Sequence, residues 1–321
     1  MPIPKISVIM PTFNNAAFLK EAVDSVLNQT YANLELVIID NYSTDNTEQI
    51  VRSYQSNRIK YYKFANEGII ARSRNFGIKQ SAGDLTAFLD SDDIWLKDKL
   101  QNQVSIMGED QEVALVFSSF KVLEGGAGPS SKLIGPKYFM KPGFHYGQLI
   151  KANFIVLSSV LVKTNILRDK GLFDESGDFG FAEDYKMWLS IARQNKIAST
   201  PGVEGFYRIH PFNSNVNEKR LKNALDVVGH EFKHQWISKH KYNRAKANWI
   251  FREGCMQLEH DPPKARSAFL SVIKINFYNI KLLILSIIGL IFTFFPFIYK
   301  MVREKQLDKK IGAKLLNPQN L

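Results

Sequence analysis

Only one cysteine, Cys255, occurs in the 321 residues. No disulfide can close within the chain, so a reducing compartment is its natural home, and the lone thiol reads as a structural or surface group. No secretory signal is expected either, because Met1 to Met10 runs directly into a strand-like segment. There is no internal repeat and no glycine-rich phosphate loop. The first apolar run closes in Pro11-Thr12-Phe13-Asn14, which does not suit a nucleotidyltransferase. Most of the chain also lacks any surplus of one charge. Residues 1–215 hold 23 Lys and Arg against 23 Asp and Glu, while residues 216–321 hold 19 against 8. The net +11 therefore sits in the last third, which excludes a uniformly basic nucleic-acid binder, and no nucleic-acid partner is expected. With 45% hydrophobic and 23% charged residues, the composition is that of a globular protein with a large core.

What is present follows a β-α-β-α order. Ile6 to Met10 is strand-like and closes at Pro11; Phe18, Leu19, Ala22, Val23, Val26 and Leu27 then recur at helical spacing. Leu34 to Ile39 is a second strand ending at Asp40, and Ser43-Thr44-Asp45 signals the start of a helix carrying Ile50, Val51 and Tyr54. Ile59–Tyr62 predicts a third strand, Ile70–Gln80 a helix, and Leu85–Leu89 a fourth strand that delivers Asp90. This order predicts an α/β fold with a mostly parallel central sheet covered on both faces. In such sheets ligands bind beyond the carboxyl ends of the strands, where Thr12, Asp40 and Asp90 fall. Val113–Ser118 predicts another strand, and the Gly/Pro/Ser-rich stretch 124–135 a surface loop.

The densest chemistry is Asp90-Ser91-Asp92-Asp93, directly after a buried strand. Clustered carboxylates repel one another unless a cation sits among them, and a hard divalent ion with oxygen ligands is the usual partner. Capping of a helix containing Trp95 and Leu100 is the plainer alternative for Asp92 or Asp93.

Ile6 to Asn14 (ISVIMPTFN), Leu36 to Asp45 (LVIIDNYSTD), Ala71 to Gly77 (ARSRNFG), Gly83 to Asp93 (GDLTAFLDSDD) and Glu183 to Leu189 (EDYKMWL) resemble, in order and spacing, the family 2 glycosyltransferases with the GT-A fold. The match runs from about residue 5 to about residue 215. The resemblance implies that Pro11, Thr12, Asn14, Asp40 and Asp45 line a nucleotide pocket, Asp40 accepting from the base. It implies that Arg74 and Asn75 hold the nucleotide and the first carboxylates. Asp90 would lie near the ribose, Ser91 would be among the nucleotide-sugar contacts, and Asp92 would bind Mn²⁺ or Mg²⁺ on the diphosphate. It further implies Asp184 as general base with Glu183 as its orienting or acceptor-binding neighbour, the alternative being that both are acids at a helix N-terminus favoured by the dipole. Tyr207-Arg208-Ile209-His210 resembles a segment that closes over the diphosphate, with Arg208 and His210 on phosphate oxygens. The asparagine-rich stretch 213–217 departs from that pattern. Asn153, Ser158 and Ser159 fit either acceptor contacts or packing.

The expected activity is metal-dependent, inverting transfer of one sugar from a UDP- or dTDP-sugar to an acceptor hydroxyl, on a glycan or lipid-linked intermediate of surface polysaccharide biosynthesis. A processive polysaccharide synthase and an inactive nucleotide-binding membrane scaffold are the alternatives. The domains expected are a catalytic one over 1–215, a basic helical extension over 216–265 bounded by Asp261-Pro262-Pro263, and a membrane-attachment segment over 266–321. Within the last, Leu282 to Tyr299 gives 18 residues without charge. As a helix these span about 27 Å, close to a bilayer core. Lys281 precedes them, and Lys300, Arg303, Lys305, Lys309, Lys310 and Lys314 follow, an arrangement that suits an anionic membrane surface. Re-entrant or in-plane attachment, a single span and a buried or oligomer-forming helix all stay open, with Pro296 counting against a straight span. The expected location is the cytoplasmic face of the cell membrane.

Overall fold

The structure, a computed structural model, describes residues 3–124, 129–136, 139–210, 217–275 and 279–294. The chain forms two compact units, one of residues 1–146 with 153–215, the other of residues 147–152 with 216–321.

The first unit opens with β1 (Ile6–Thr12), α1 (Ala16–Leu27), β2 (Leu34–Asp40), α2 (Thr47–Ser53), β3 (Ile59–Lys63), α3 (Ile70–Gln80) and β4 (Leu85–Phe88). Every residue of β1, β2 and β4 is buried, as expected of parallel strands covered on both faces. β3 is only half-buried, because it is the edge. Helix α3 lies so close to the sheet that a Cβ at Gly77 would stand 2.6 Å from Ile39 Cδ1 and 2.7 Å from Ile9 Cγ2. Parallel register sets Thr12 beside Asp40, and Leu89 N–H donates to Ile9 C=O at 3.1 Å, so the chain leaves β4 at the same end of the sheet.

Beyond β4 the order changes. β5 (Ile94–Trp95), α4 (Lys99–Glu109), β6 (Val113–Glu124), β7 (Pro129–Ile134), α5 (Tyr146–Leu149), β8 (Leu161–Lys163), α6 (Thr164–Asp169), α7 (Glu183–Ala192) and β9 (Lys196–Ile209) follow. The sheet runs β3-β2-β1-β4-β8-β6-β9-β5, with β7 on β6. It is mixed, which corrects the expected mostly parallel sheet: β1–β2, β1–β4, β2–β3 and β6–β9 are parallel, while β4–β8, β5–β9, β6–β7 and β6–β8 are antiparallel. Antiparallel pairing needs no helical crossover, so the alternation that signals parallel strands stops where these short strands begin. The stretch expected as a loop holds β7, although residues 125–128 lie outside the described residues. Trp95 belongs to β5, not to the helix with Leu100, and its indole N–H donates to Ser158 C=O at 2.7 Å.

In the second unit, α8 (Asn217–Lys233), α9 (Lys239–Gln257), α10 (Pro262–Ile275) and α11 (Ile280–Phe292) follow one another. Phe269 of α10 sits fully buried at the centre, and a Cβ at Gly289 would meet its ring at 2.6 Å, so α11 packs in direct contact. Asp261 Oδ1 accepts Lys264 N–H at 3.0 Å ahead of Pro262, which makes Asp261-Pro262-Pro263 the start of α10. Helix α11 has 13 residues, about 20 Å of rise. Among the described residues no helix is long and apolar enough to cross a membrane. Residues 295–299, Pro296 and the basic residues from Lys300 onward lie outside the described residues, as do residues 213–216.

Candidate active site

At the carboxyl ends of β1 and β2 a polar network joins two loops. Asp40 is fully buried: Oδ1 accepts Ser43 N–H at 2.9 Å and the Ser43 hydroxyl at 2.6 Å, and Oδ2 accepts the Tyr61 hydroxyl at 2.5 Å. Burial, then the Asp40 carboxylate, push the Tyr61 phenol above its ordinary value. Asn14, at φ 48°, accepts Thr44 N–H at 2.7 Å and donates its own N–H to Ser43 Oγ at 2.9 Å. Asp45 accepts Ala16 N–H at 2.9 Å and Thr47 N–H at 3.0 Å, which fixes the start of both α1 and α2. Asn14, Asp40 and Asp45 thus tie the loops after β1 and β2 together, and Asp40 has both oxygens engaged by the protein. Pro11 is buried in β1, and the buried Thr12 hydroxyl beside it meets no protein partner.

The next layer is a carboxylate cluster held by one cation. Buried Arg74 of α3 donates to Asp90 Oδ1 at 3.2 Å through Nη2 and to Glu183 Oε1 through Nη1. The two acids are brought from β4 and α7 to one guanidinium. Burial pushes Arg74 down, but Asp90, Glu183 and Asp184 together outweigh it and hold it above its ordinary value. Arg74 Nε and Glu183 Oε2 are buried without protein partners. Asn75 turns away from this cluster: it donates to Phe173 C=O at 2.8 Å and Glu175 Oε1 at 2.6 Å and accepts Phe173 N–H at 2.9 Å, anchoring the segment that leads to α7.

Glu183 and Asp184 open α7, where the helix dipole favours acids. Asp184 is half-buried, and its carboxyl is nevertheless pushed up to about 7, first by burial, then by Glu183, against the pull of Arg74. A carboxylate with that pKa is poised to take a proton near neutral pH.

On the other side of Asp90 lies a second group. Ser91 Oγ accepts Asn15 Nδ2–H at 2.8 Å, and Asp90 N–H donates to Ser158 Oγ at 3.1 Å. Ser158 and Ser159 are fully buried, and Asn153 accepts Ile155 N–H at 3.2 Å, so all three serve packing and turns here. Arg208 of β9 donates Nε–H to Asp92 C=O at 2.9 Å and Nη2–H to Glu21 Oε2 at 2.6 Å, and its N–H reaches Asp93 Oδ1 at 3.0 Å. His210 Nε2 lies 3.0 Å from Asp92 Oδ2. Burial, then Asp90, raise the Asp92 carboxyl, and Asp93 is raised further by burial and by both neighbouring acids. That frustration is what a cation would relieve. Among the described residues no group of three or more metal-binding side chains occurs. The donors present, Asp92 Oδ2 with His210 Nε2 beside it, fit an ion that draws its remaining ligands from a substrate's phosphates and water.

The sequence pattern places Phe18 only in the helical period of α1, yet it carries the Arg208 guanidinium 4.8 Å above its ring and meets His210 in a tilted ring contact at 4.5 Å between centroids. Its membership of the site, like that of Glu21 and Asn15, depends on β9 and the Asp90 turn coming alongside α1, which no local pattern signals.

The model of the family described as Glycosyl transferase family 2 matches residues 7–161. The Escherichia coli UDP-Glc:alpha-D-GlcNAc-diphosphoundecaprenol beta-1,3-glucosyltransferase WfgD is 32% identical over 229 residues, covering 70% of this chain and 85% of the relative. Among solved structures, Staphylococcus aureus TarS 1–349 in complex with UDP-GlcNAc aligns at TM-score 0.62 and 20% identity, covering 84% of this chain and 81% of that one. The mannosyltransferase PcManGT from Pyrobaculum calidifontis in complex with GDP-Man and Mn²⁺ aligns at TM-score 0.57 and 18% identity, covering 89% and 79%. With a GT-A-like α/β unit, the five motifs in place and such a relative matched over most of its length, the chain belongs to glycosyltransferase family 2 and is a glycosyltransferase.

Proposed function

We propose that the enzyme transfers one sugar from a UDP-sugar to a hydroxyl of a lipid-diphosphate-linked glycan, with inversion, at the cytoplasmic face of the membrane during surface polysaccharide assembly. The observation that carries the chemistry is the position of Asp184 in the first turn of α7, next to Glu183 on the Arg74 guanidinium, where burial and the Glu183 charge push its carboxyl up to about 7. In the displacement the acceptor hydroxyl's proton passes to the Asp184 carboxylate and its oxygen bonds to the anomeric carbon. The bond from that carbon to the diphosphate breaks, and UDP leaves with the electron pair. One displacement inverts the anomeric centre, and no enzyme nucleophile is needed. The choice of UDP and of a lipid diphosphate rests on the WfgD relative, whose named donor and acceptor are of those classes.

A Mn²⁺ or Mg²⁺ ion, held by Asp92 with His210 adjacent, would stabilise the charge gathering on the diphosphate. The unmet Thr12 hydroxyl offers a hydrogen bond at the carboxyl end of β1, and Arg208 offers a guanidinium beside the Asp92 turn.

Nucleotide release from UDP-, dTDP- and GDP-sugars, measured with and without a lipid-diphosphate-linked acceptor, tests this reading. Acceptor-dependent release from a UDP-sugar is the expected result, whereas release that ignores the acceptor or follows only GDP-sugars overturns it. Asp92→Asn is expected to weaken Mn²⁺-dependent UDP binding by about tenfold or more, read by calorimetry, on the scale of losing one charge-assisted ligand interaction. Equal affinity with and without Mn²⁺ in the parent protein would remove the metal from donor binding.

A further inference from the structure

In the helical unit, a pocket of about 140 Å³ is lined by Lys151, Arg244, Asn248, Asn279, Lys281 and Leu282. Three of these six are cations, two are carboxamides and none is an acid. None of the three cations has a carboxylate partner among the described residues. Burial, and then the Arg244 charge, lower the Lys151 ammonium, as expected where like charges are brought together without a counter-ion. Buried Asn248 is tied to Arg244 C=O at 2.7 Å, which fixes one wall. Helix α11 begins at the opposite wall: Asn279 Oδ1 accepts Leu282 N–H at 3.2 Å, so the positive end of a 13-residue helix adds to the same opening.

The same helix leaves an apolar face open. Ile280, Ile284, Ile287 and Ile291 are 69%, 51%, 45% and 53% exposed, and their 4-3-4 spacing places them on one stripe. Leu282, Leu285 and Gly289 are buried and pack inward. A water-facing helix of a soluble unit would carry polar residues along such a stripe.

The geometry points to a lipid-phosphate site: the pocket of Lys151, Arg244 and Lys281 takes the phosphate of an anionic membrane lipid while the isoleucine stripe of α11 enters the acyl boundary. Charge complementarity selects this occupant. A second copy of the chain laid on the same helix would bring a cationic pocket against a cationic pocket, whereas a phospholipid supplies the missing anion and the apolar layer together. This rests on the membrane placement proposed above and adds the site and the headgroup chemistry to it. It does not depend on the sugar transferred.

The test is flotation of the full chain with phosphatidylcholine vesicles made with and without phosphatidylglycerol. Arg244→Glu with Lys281→Glu, both at exposed positions, is expected to weaken binding to the anionic vesicles by about 30-fold. An equal charge change outside the pocket, Lys241→Glu with Lys274→Glu, is expected to weaken it by no more than about threefold. Ile284→Ser with Ile287→Ser should also release the protein, with its circular dichroism melt unchanged. Equal losses from the two charge-reversed pairs, or none from the first, overturn the pocket assignment. Absence of vesicle binding by the parent chain removes the membrane placement itself. Inorganic phosphate or pyrophosphate binding at this pocket as tightly as the vesicles do would make it a free-phosphate site and overturn the lipid assignment. A parent dimer that Ile284→Ser with Ile287→Ser converts to monomer, seen by light scattering, would likewise overturn it in favour of a second copy. Nucleotide release in detergent should be the same for all these variants, which separates this result from failure of the transferase reading.

Discussion

Arg74→Met is expected to destabilise the catalytic unit by about 3–5 kcal/mol, the scale found when one partner of a buried ion cluster is removed. The methionine fills a similar volume, so the loss comes from charge. Glu183 Oε1 and Asp90 Oδ1 each lose their guanidinium donor, and Glu183 Oε2 is already buried without a partner. Urea unfolding followed by tryptophan fluorescence measures the effect, and Trp188, fully buried on α7, is a suitable reporter of the unit. The double variant Arg74→Met with Glu183→Gln should recover part of the loss, because it removes one stranded charge. A double variant no more stable than Arg74→Met alone would show that the pair is not coupled.

Asp184→Asn is expected to lower turnover by about 10²- to 10⁴-fold, the contribution of a positioned general base. The substitution is nearly isosteric and removes only the proton acceptor. UDP-sugar affinity should stay within about twofold, because the groups proposed to face the phosphates, Asp92, Arg208 and His210, do not contact position 184 through any described hydrogen bond. Steady-state kinetics with saturating acceptor, alongside calorimetric donor titration, checks both halves. A fall in donor affinity with unchanged turnover would assign Asp184 to donor binding.

The parallel half of the sheet was legible because β1, β2 and β4 are buried on both faces and so appear as unbroken apolar runs. Their ends place Thr12, Asp40 and Asp90 correctly, since that follows from strand direction alone. β7 was not legible: it pairs only with β6 at the margin of the sheet, and its Pro-Ser-Ser start reads as a turn. The placement of Arg74 among carboxylates was anticipated from the resemblance, but its direct bond to Glu183 spans 109 residues and depends on how α7 meets α3. Asp40 shows the opposite limit. Its position at a strand end was readable, yet whether its oxygens face a ligand or the protein depends on Ser43 and Tyr61, and the structure gives both to the protein. Phe18 carried only a helical period, and its cation contact with Arg208 arises from the return of β9 across the site.

The pH dependence of kcat/KM, measured between about pH 5 and 9 for the parent enzyme and Glu183→Gln, probes the raised carboxyl most directly. Asp184 accepts a proton only when ionised, so activity should fall below a midpoint near 7, about tenfold for each unit further down. Glu183 raises Asp184 and also neutralises part of the Arg74 charge, so Glu183→Gln should move that midpoint to lower pH. A flat profile, or a midpoint indifferent to Glu183→Gln, would contradict Asp184 as the base of this transferase.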